Sequence, residues 1–329
     1  MVNTGVSTAK RTLSKQAKCV SIRKPTARGC AKGLFLLLAP QQLFPQTLST
    51  VQLTRLPTAP QNPTAMKPDS TLSVALITGA ASGIGQELAH LLAKDQYQLV
   101  LVDQDAAGLQ KFADHLRSVH NITPTLVIQD LSQPAAAQRV YEAVKAQGIE
   151  VDILINDAGF GEYGPFLDSE VNRNVAVVQT NITALIELTY VFGQGMVHRG
   201  KGRILQLAST AAYTPSPKMA VYSATKSFVL SFSEALYKEL EGTGVTVTAL
   251  CPGATDTNFF ERAGAENTNA AQGDLADPKD VAKDGYEALM KGEMRVISGL
   301  TNKVQAMLSN ITPDGLVAAG MSKMFAEKK

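Results

Sequence analysis

The 329-residue chain is poor in three things: cysteine, long apolar runs and, over its first 66 residues, acidic side chains. Its three cysteines, Cys19, Cys30 and Cys251, have no metal-ligand spacing, so neither a disulfide framework nor a metal site is expected. A reducing cytoplasm is the expected location. The longest apolar run near the start, Leu34 to Ala39 in GLFLLLAP, falls far short of the roughly 18 to 20 residues that span a bilayer. No transmembrane segment is expected. Residues 1–66 carry nine Lys or Arg and no Asp or Glu, while the whole chain has a formal charge of only +2. The remainder is therefore acidic, which argues against nucleic acid as a partner. No internal repeat is present.

The first 66 residues are also rich in Ser, Thr, Pro and Gln and hold no helical or strand period, as in a disordered or targeting segment. A transit-like peptide, a weak secretory signal built on GLFLLLAP, and an upstream extension with Met66 as the working start are the three readings. The expected organisation is a basic leader over 1–72 and one domain over 73–329.

From residue 73 short β-branched or Leu-rich runs alternate with amphipathic stretches, the pattern of parallel strands joined by crossover helices. Strands are predicted at Val74–Thr78, Gln98–Asp103, Thr125–Gln129, Ile153–Asn156, Gly202–Leu207, Thr246–Cys251 and Arg295–Ser298. Helices are predicted at Ile84–Lys94, Ala106–Val119, Pro134–Gln147, Glu170–Val197 and Ala220–Glu241. The expected fold class is α/β: a doubly wound, mostly parallel sheet of seven strands with helices on both faces, of the Rossmann type, and a ligand crevice at the strand C-termini.

The segment TGAASGIG, Thr78 to Gly85, stands where the first strand ends and a helix begins. There Gly79 permits a tight turn, Gly83 lets the backbone approach a pyrophosphate, and Gly85 allows close helix packing. The helix N-terminus, through Ser82 and Ile84, offers unpaired N–H groups to phosphate. GFGEYG at 159–164 fits the literal GxGxxG pattern, but Pro165 follows it instead of a helix. Asp103, 18 residues after Gly85, closes the second strand, where its carboxylate can accept from ribose hydroxyls and would repel a 2′-phosphate. No Arg or Lys occupies 80–82. NAD(H) is therefore favoured, with NADP(H) the alternative.

Tyr222 and Lys226, in YSATK, are four apart on a predicted helix and emerge on one face. A phenol of ordinary pKa near 10 can deliver a proton to a carbonyl oxygen once an ammonium stabilises its phenolate. Tyr141 and Lys145 share that spacing, but Ile128 stands thirteen residues before Tyr141, whereas Ser209 stands thirteen before Tyr222 at a strand end. Ser209 can polarise the same oxygen, with Thr210 as the neighbouring hydroxyl.

Taken in order, TGAASGIG, INDAG at 155–159, Asn181 in TNITALIEL, Ser209, YSATK and CPGATDT at 251–257 resemble the motifs of short-chain dehydrogenases/reductases over about residues 73–260. The resemblance implies a catalytic Ser209, Tyr222 and Lys226, with Lys226 also holding the nicotinamide ribose and Asn181 helping a water carry protons to Lys226. It implies cofactor contacts from Asp130 and Leu131 to adenine, from Asn156, Ala158 and Gly159, and from Pro252, Gly253, Thr255 and Thr257 to the nicotinamide. Two positions depart from the family pattern. Asp157 stands where an amide usually braces the central sheet, and Ala212 stands where glycine is common.

A carbonyl or alcohol substrate, apolar in character, is expected against Phe160, Thr210, Tyr213, Met219 and Phe259, with a mobile lid over about 258–276. Phe259 and Phe260 read equally well as plain core anchors. Helices 170–197 and 220–241 are apolar on more than one face, which in the family's terms implies a homodimer or homotetramer. The competing functions are a nucleotide-binding regulator without turnover and a sugar-nucleotide epimerase or dehydratase.

Overall fold

The computed structural model describes residues 73–309 and 311–328. The expectations for the leader, and Cys19 and Cys30 with them, lie outside the described residues.

Seven strands form one sheet: β1 (Val74–Thr78), β2 (Gln98–Asp103), β3 (Thr125–Ile128), β4 (Ile153–Asn156), β5 (Gly202–Leu207), β6 (Val245–Cys251) and β7 (Arg295–Ile297). Their order is β3-β2-β1-β4-β5-β6-β7, and every neighbouring pair is parallel. A sheet covered on both faces selects continuous apolar runs, which is why ALI in β1 and VLV in β2 are wholly buried. Alternation then divides them. Ala75 and Ile77 face α1 (Gly83–Lys94), α2 (Ala106–His120) and α8 (Pro278–Lys291). Leu76 and Leu154 face α3 (Ala136–Ala146) and α5 (Leu185–Arg199), and Ala249 and Cys251 face α6 (Ala220–Glu239).

The predicted helix 170–197 is broken. α4 (Val171–Val178) runs into a π-turn at Gln179–Ala184 before α5 begins. A π-turn adds one residue and shifts the helical phase, and here it turns Thr180 and Asn181 inward. Within 171–199 one apolar window has mean hydropathy 1.4, enough by length and composition to cross a membrane, and 44% of that window is buried within the fold. The expectation of no transmembrane segment rests only on the apolar run near the start. Further helices close the C-terminal side: α7 (Phe259–Ala263), α9 (Leu300–Ser309) and α10 (Asp314–Met324). α10 meets Phe260 and Met219 in a small separate core of Met321, Phe325 and Ala263.

Parallel β1 and β4 lie side by side although β2 and β3 come between them in the chain, so the connections leave β1 and β4 in opposite directions. A crevice opens at such a reversal, above the strand C-termini.

Candidate active site

The crevice holds a cleft of about 880 Å³. Its floor is the turn after β1. Gly79 and Gly83 have φ of +70° and +62°, which a side chain adopts only with strain. A Cβ at Gly79 would stand 3.0 Å from the Ala158 backbone, and one at Gly85 would stand 2.6 Å from the Gly79 carbonyl oxygen. The turn is tight because these positions are glycine. Ser82 caps α1 through an extended backbone and makes no side-chain capping bond among the described residues, so the N–H groups of Gly83 and Ile84 at the start of α1 face the cleft open to an anion.

Asp103 ends β2 nearly buried, its Oδ2 accepting from the Ala81 N–H at 3.0 Å and its Oδ1 from the Asp105 N–H at 3.0 Å. It joins the glycine turn to the head of α2, where Asp105 caps the helix. Asp130, Leu131, Ala158, Gly159, Pro252, Gly253, Thr255 and Thr257 also line the cleft. The groove, the open helix end and the absence of a Cβ at the turn fit a dinucleotide.

The other end of the cleft brings Ser209 and Tyr222 together. Ser209 sits just past β5, its Oγ accepting from the Ala211 N–H at 3.1 Å and 3.5 Å from the Pro252 carbonyl. Tyr222 and Lys226 emerge one turn apart on α6, the Lys226 Nζ 5.7 Å from the centre of the Tyr222 ring. Burial pushes the Tyr222 phenol up to about 12, and the Ser209 hydroxyl opposes the rise. Burial pulls the Lys226 ammonium down to about 8, opposed by the charges of Asp157 and Cys251. Lys226 donates to the Leu207 carbonyl at 2.7 Å, and this bond holds it beneath the end of β5.

Asn181, on the π-turn, is buried beside them. Its Nδ2 donates to the Phe160 carbonyl at 3.0 Å and to Thr225 Oγ1 at 3.1 Å, and its Oδ1 accepts from the Phe160 N–H at 3.2 Å. One amide thus ties the loop after β4 to α6, directly beneath Gly159.

Three residues stand elsewhere than the sequence suggested. Asn156 is absent from the cleft lining. Its Nδ2 donates to Thr189 Oγ1 and Gln206 Oε1 at 3.1 and 2.9 Å, and Gln206 Nε2 donates to Thr189 Oγ1 at 2.8 Å, so Asn156 braces β4, β5 and α5. Asp157, expected at that brace, instead turns its carboxyl under the glycine turn. Tyr213, expected at the substrate, lies outside the cleft lining with its hydroxyl 3.7 Å from Cys251 Sγ and its ring beneath Arg295. Phe160, Thr210, Met219 and Phe259 do line the cleft, and the Phe259 ring is 4.9 Å from that of Tyr222. Met321, Met324 and Phe325 of the α10 end complete an apolar wall that the sequence reading missed. Their i, i+3, i+4 spacing was the available signal. Among the described residues no group of His, Cys, Asp and Glu is arranged to hold a metal ion.

The model of the short chain dehydrogenase family matches residues 73–268. The chain belongs to that family. A relative, the probable oxidoreductase EphD of Mycobacterium tuberculosis, is 34% identical over 189 residues, 57% of this chain. The match spans only 32% of the length of that protein. Among solved structures, a short-chain dehydrogenase from Sphingobium yanoikuyae in complex with NADPH superposes with a TM-score of 0.66 at 30% identity, covering 76% of this chain and 96% of that one. A family member from Burkholderia phymatum in complex with NAD has a TM-score of 0.65 at 27% identity, covering 72% and 92%. The family's nicotinamide dinucleotide suits the cleft; both forms of it occur in these neighbours.

Proposed function

We propose that the chain is an NAD(P)(H)-dependent oxidoreductase interconverting an apolar ketone and its alcohol, with Tyr222 exchanging the proton and NAD(H) the preferred cofactor. The observation that carries the reading is the meeting of Tyr222 and Ser209 at the apolar end of a cleft, with the buried Lys226 one helical turn behind Tyr222, while the cleft's other end is a glycine turn and an open helix N-terminus. Bound there, the nicotinamide supplies or takes up the hydride. The Tyr222 hydroxyl gives its proton to the oxygen as charge develops on it. Lys226, its ammonium 5.7 Å from the centre of the Tyr222 ring, supplies positive charge that favours the phenolate, and holds the nicotinamide ribose. Ser209 donates to the same oxygen. Asn181 fixes the loop at Gly159 and Phe160 and helps a water carry protons to Lys226.

Gly79, Ser82, Gly83 and Ile84 receive the phosphates, with Gly85, outside the cleft lining, allowing the close packing beneath them; Asp103 receives the adenosine ribose, and Asp130 and Leu131 the adenine. Pro252, Gly253, Thr255 and Thr257 face the nicotinamide. The preference for NAD(H) is supported by two carboxylates, Asp103 and Asp105, at the end of β2 where a 2′-phosphate would lie. Phe160, Met219, Phe259 and the α10 wall bound the substrate, which supports an apolar one. Residues 258–276, from α7 onward, form a lid over it.

The same reading takes residues 73–329 as one catalytic domain in the cytoplasm that assembles as a homodimer or homotetramer. Assembly is supported by the outer face of α4 and α5, where Val171, Val175 and Tyr190 are 65%, 59% and 64% exposed. A panel of ketones with NADH and NADPH tests the activity. Tyr222→Phe should lower turnover by about 10²- to 10⁴-fold while leaving dinucleotide affinity intact. Turnover close to the parent's removes Tyr222 from this role.

A further inference from the structure

Asp157 follows β4 and is 9% exposed. Its Oδ2 lies 3.0 Å from where a Cβ on Gly79 would stand and 2.6 Å from that on Gly85, so the carboxyl fills the inner side of the glycine turn. Its Oδ1 is buried with no hydrogen-bond partner among the described residues. Four elements surround it. From β1, Thr78 Oγ1 is already committed, donating to the Ile155 carbonyl and accepting the backbone N–H groups of Asp157 and Ala158. From α1 comes the Gly85 N–H, from α6 the ammonium of Lys226, and from the end of β2 the carboxylate of Asp103. Burial dominates and raises the carboxyl to about 7, with Lys226 and the Gly85 N–H opposing and Asp103 adding to the rise.

The end of a helix offers an anion about half a positive charge. An ionised carboxylate beneath the first turn of α1 more than cancels it, whereas the neutral acid leaves it free. We propose that the ionised Asp157 and the phosphates of the dinucleotide compete for the N-terminal end of α1, so that cofactor binding loads a proton from solvent onto this carboxyl. The inference rests on the dinucleotide reading of the cleft. Asp157 is then a positioning residue for the cofactor, and a family position ordinarily filled by an amide here makes affinity depend on pH.

The sign follows from linkage: a ligand that favours the protonated form binds best below the free carboxyl's pKa and progressively worse above it. NADH is the probe, because its pyrophosphate carries no exchangeable proton in this range. Its Kd should rise about tenfold between pH 6 and pH 8 in the parent protein. Calorimetry at pH 7.5 in two buffers of different ionisation enthalpy should show an uptake of about 0.8 proton per NADH, given a carboxyl near 7. Lys226 loses charge in the same direction, so Asp157→Asn provides the contrast. It keeps the shape and the lysine, and its NADH affinity should vary with pH clearly less than the parent's, with a smaller proton uptake left to Lys226, which loses the support of the Asp157 charge. No uptake by the parent, a result that needs no variant, or equal uptake by Asp157→Asn, would overturn the proposal. Failure of the parent to bind NADH at pH 6 would refute the NAD(H) reading itself, and this inference with it.

Discussion

Thr189 on α5 is the shared acceptor of a buried triad, and replacing it with valine isolates what that acceptor contributes. Valine has nearly the same shape, so no cavity forms. Two N–H groups lose their partner: one from Asn156, at 3.1 Å, and one from Gln206, at 2.8 Å. Gln206 is fully buried and Asn156 nearly so, which keeps water from replacing the lost bonds. Each of the two stranded donors costs about 1–3 kcal/mol, and the added methyl returns about 0.8 kcal/mol, so a net loss of about 1–5 kcal/mol is expected. At about 2–4 °C per kcal/mol for a domain of this size, Tm should fall by roughly 2–20 °C. The matching control is Thr248→Val on β6, whose hydroxyl is fully buried and has no hydrogen-bond partner among the described residues. That substitution removes an unpaired polar group and should leave stability unchanged or raise it by about 1 kcal/mol. Urea unfolding with an unchanged m-value measures both. Equal shifts in the two variants would show that hydrogen-bond satisfaction is not what separates these threonines.

Asp103→Ala should weaken NADH binding about 10- to 100-fold by removing a charged acceptor, and should narrow the gap to NADPH. Tighter NADPH than NADH binding in the parent would reverse the assignment. Glutamate at both Val175 and Tyr190 should convert the assembled protein to monomers on size-exclusion chromatography with light scattering; a monomeric parent contradicts the proposed interface. Asp157 is raised from 3.8 to about 7 by burial, so it costs stability as pH rises through that window. Asp157→Asn should therefore raise Tm more at pH 8 than at pH 4, and a uniform shift would point to packing rather than charge.

Strand positions were legible to within a residue because a strand buried on both faces leaves an uninterrupted apolar run, as LVLV in β2 does. Helix ends were less so. The segment expected to begin at Pro134 begins at Ala136, because Ala135 takes a left-handed φ of +57°, a conformation that no alanine advertises. The π-turn at 179–184 was invisible to any search at a period of 3.6, although Asn181, the residue it presents, could be singled out by resemblance. Local spacing identified Ser209, Tyr222 and Lys226 as one group, since each sits at a strand end or on one helical face. Tyr213 was misjudged because the short helical turn after Ser209 carries it toward Cys251 instead of the cleft. The exchange of places between Asn156 and Asp157 turns on which way two adjacent side chains leave a strand end. Pairing partners in β5 and α5 decide that, more than a hundred ångström of extended chain away in some cases, and no local pattern reports it.

The reversal of strand order has a thermodynamic corollary. β1–β3 form one flank of the sheet and β4–β7 the other, joined within the sheet by four paired positions along β1 and β4 and across its faces by α1 on α8 and α3 on α5. A molecule seated across that seam touches both flanks and acts as a clasp. At a hundred times its Kd it adds about 2.7 kcal/mol against any opening that parts them. Amide exchange in the seam strands should slow accordingly, while the outer turns of α2, which swing with a single flank, should hardly respond.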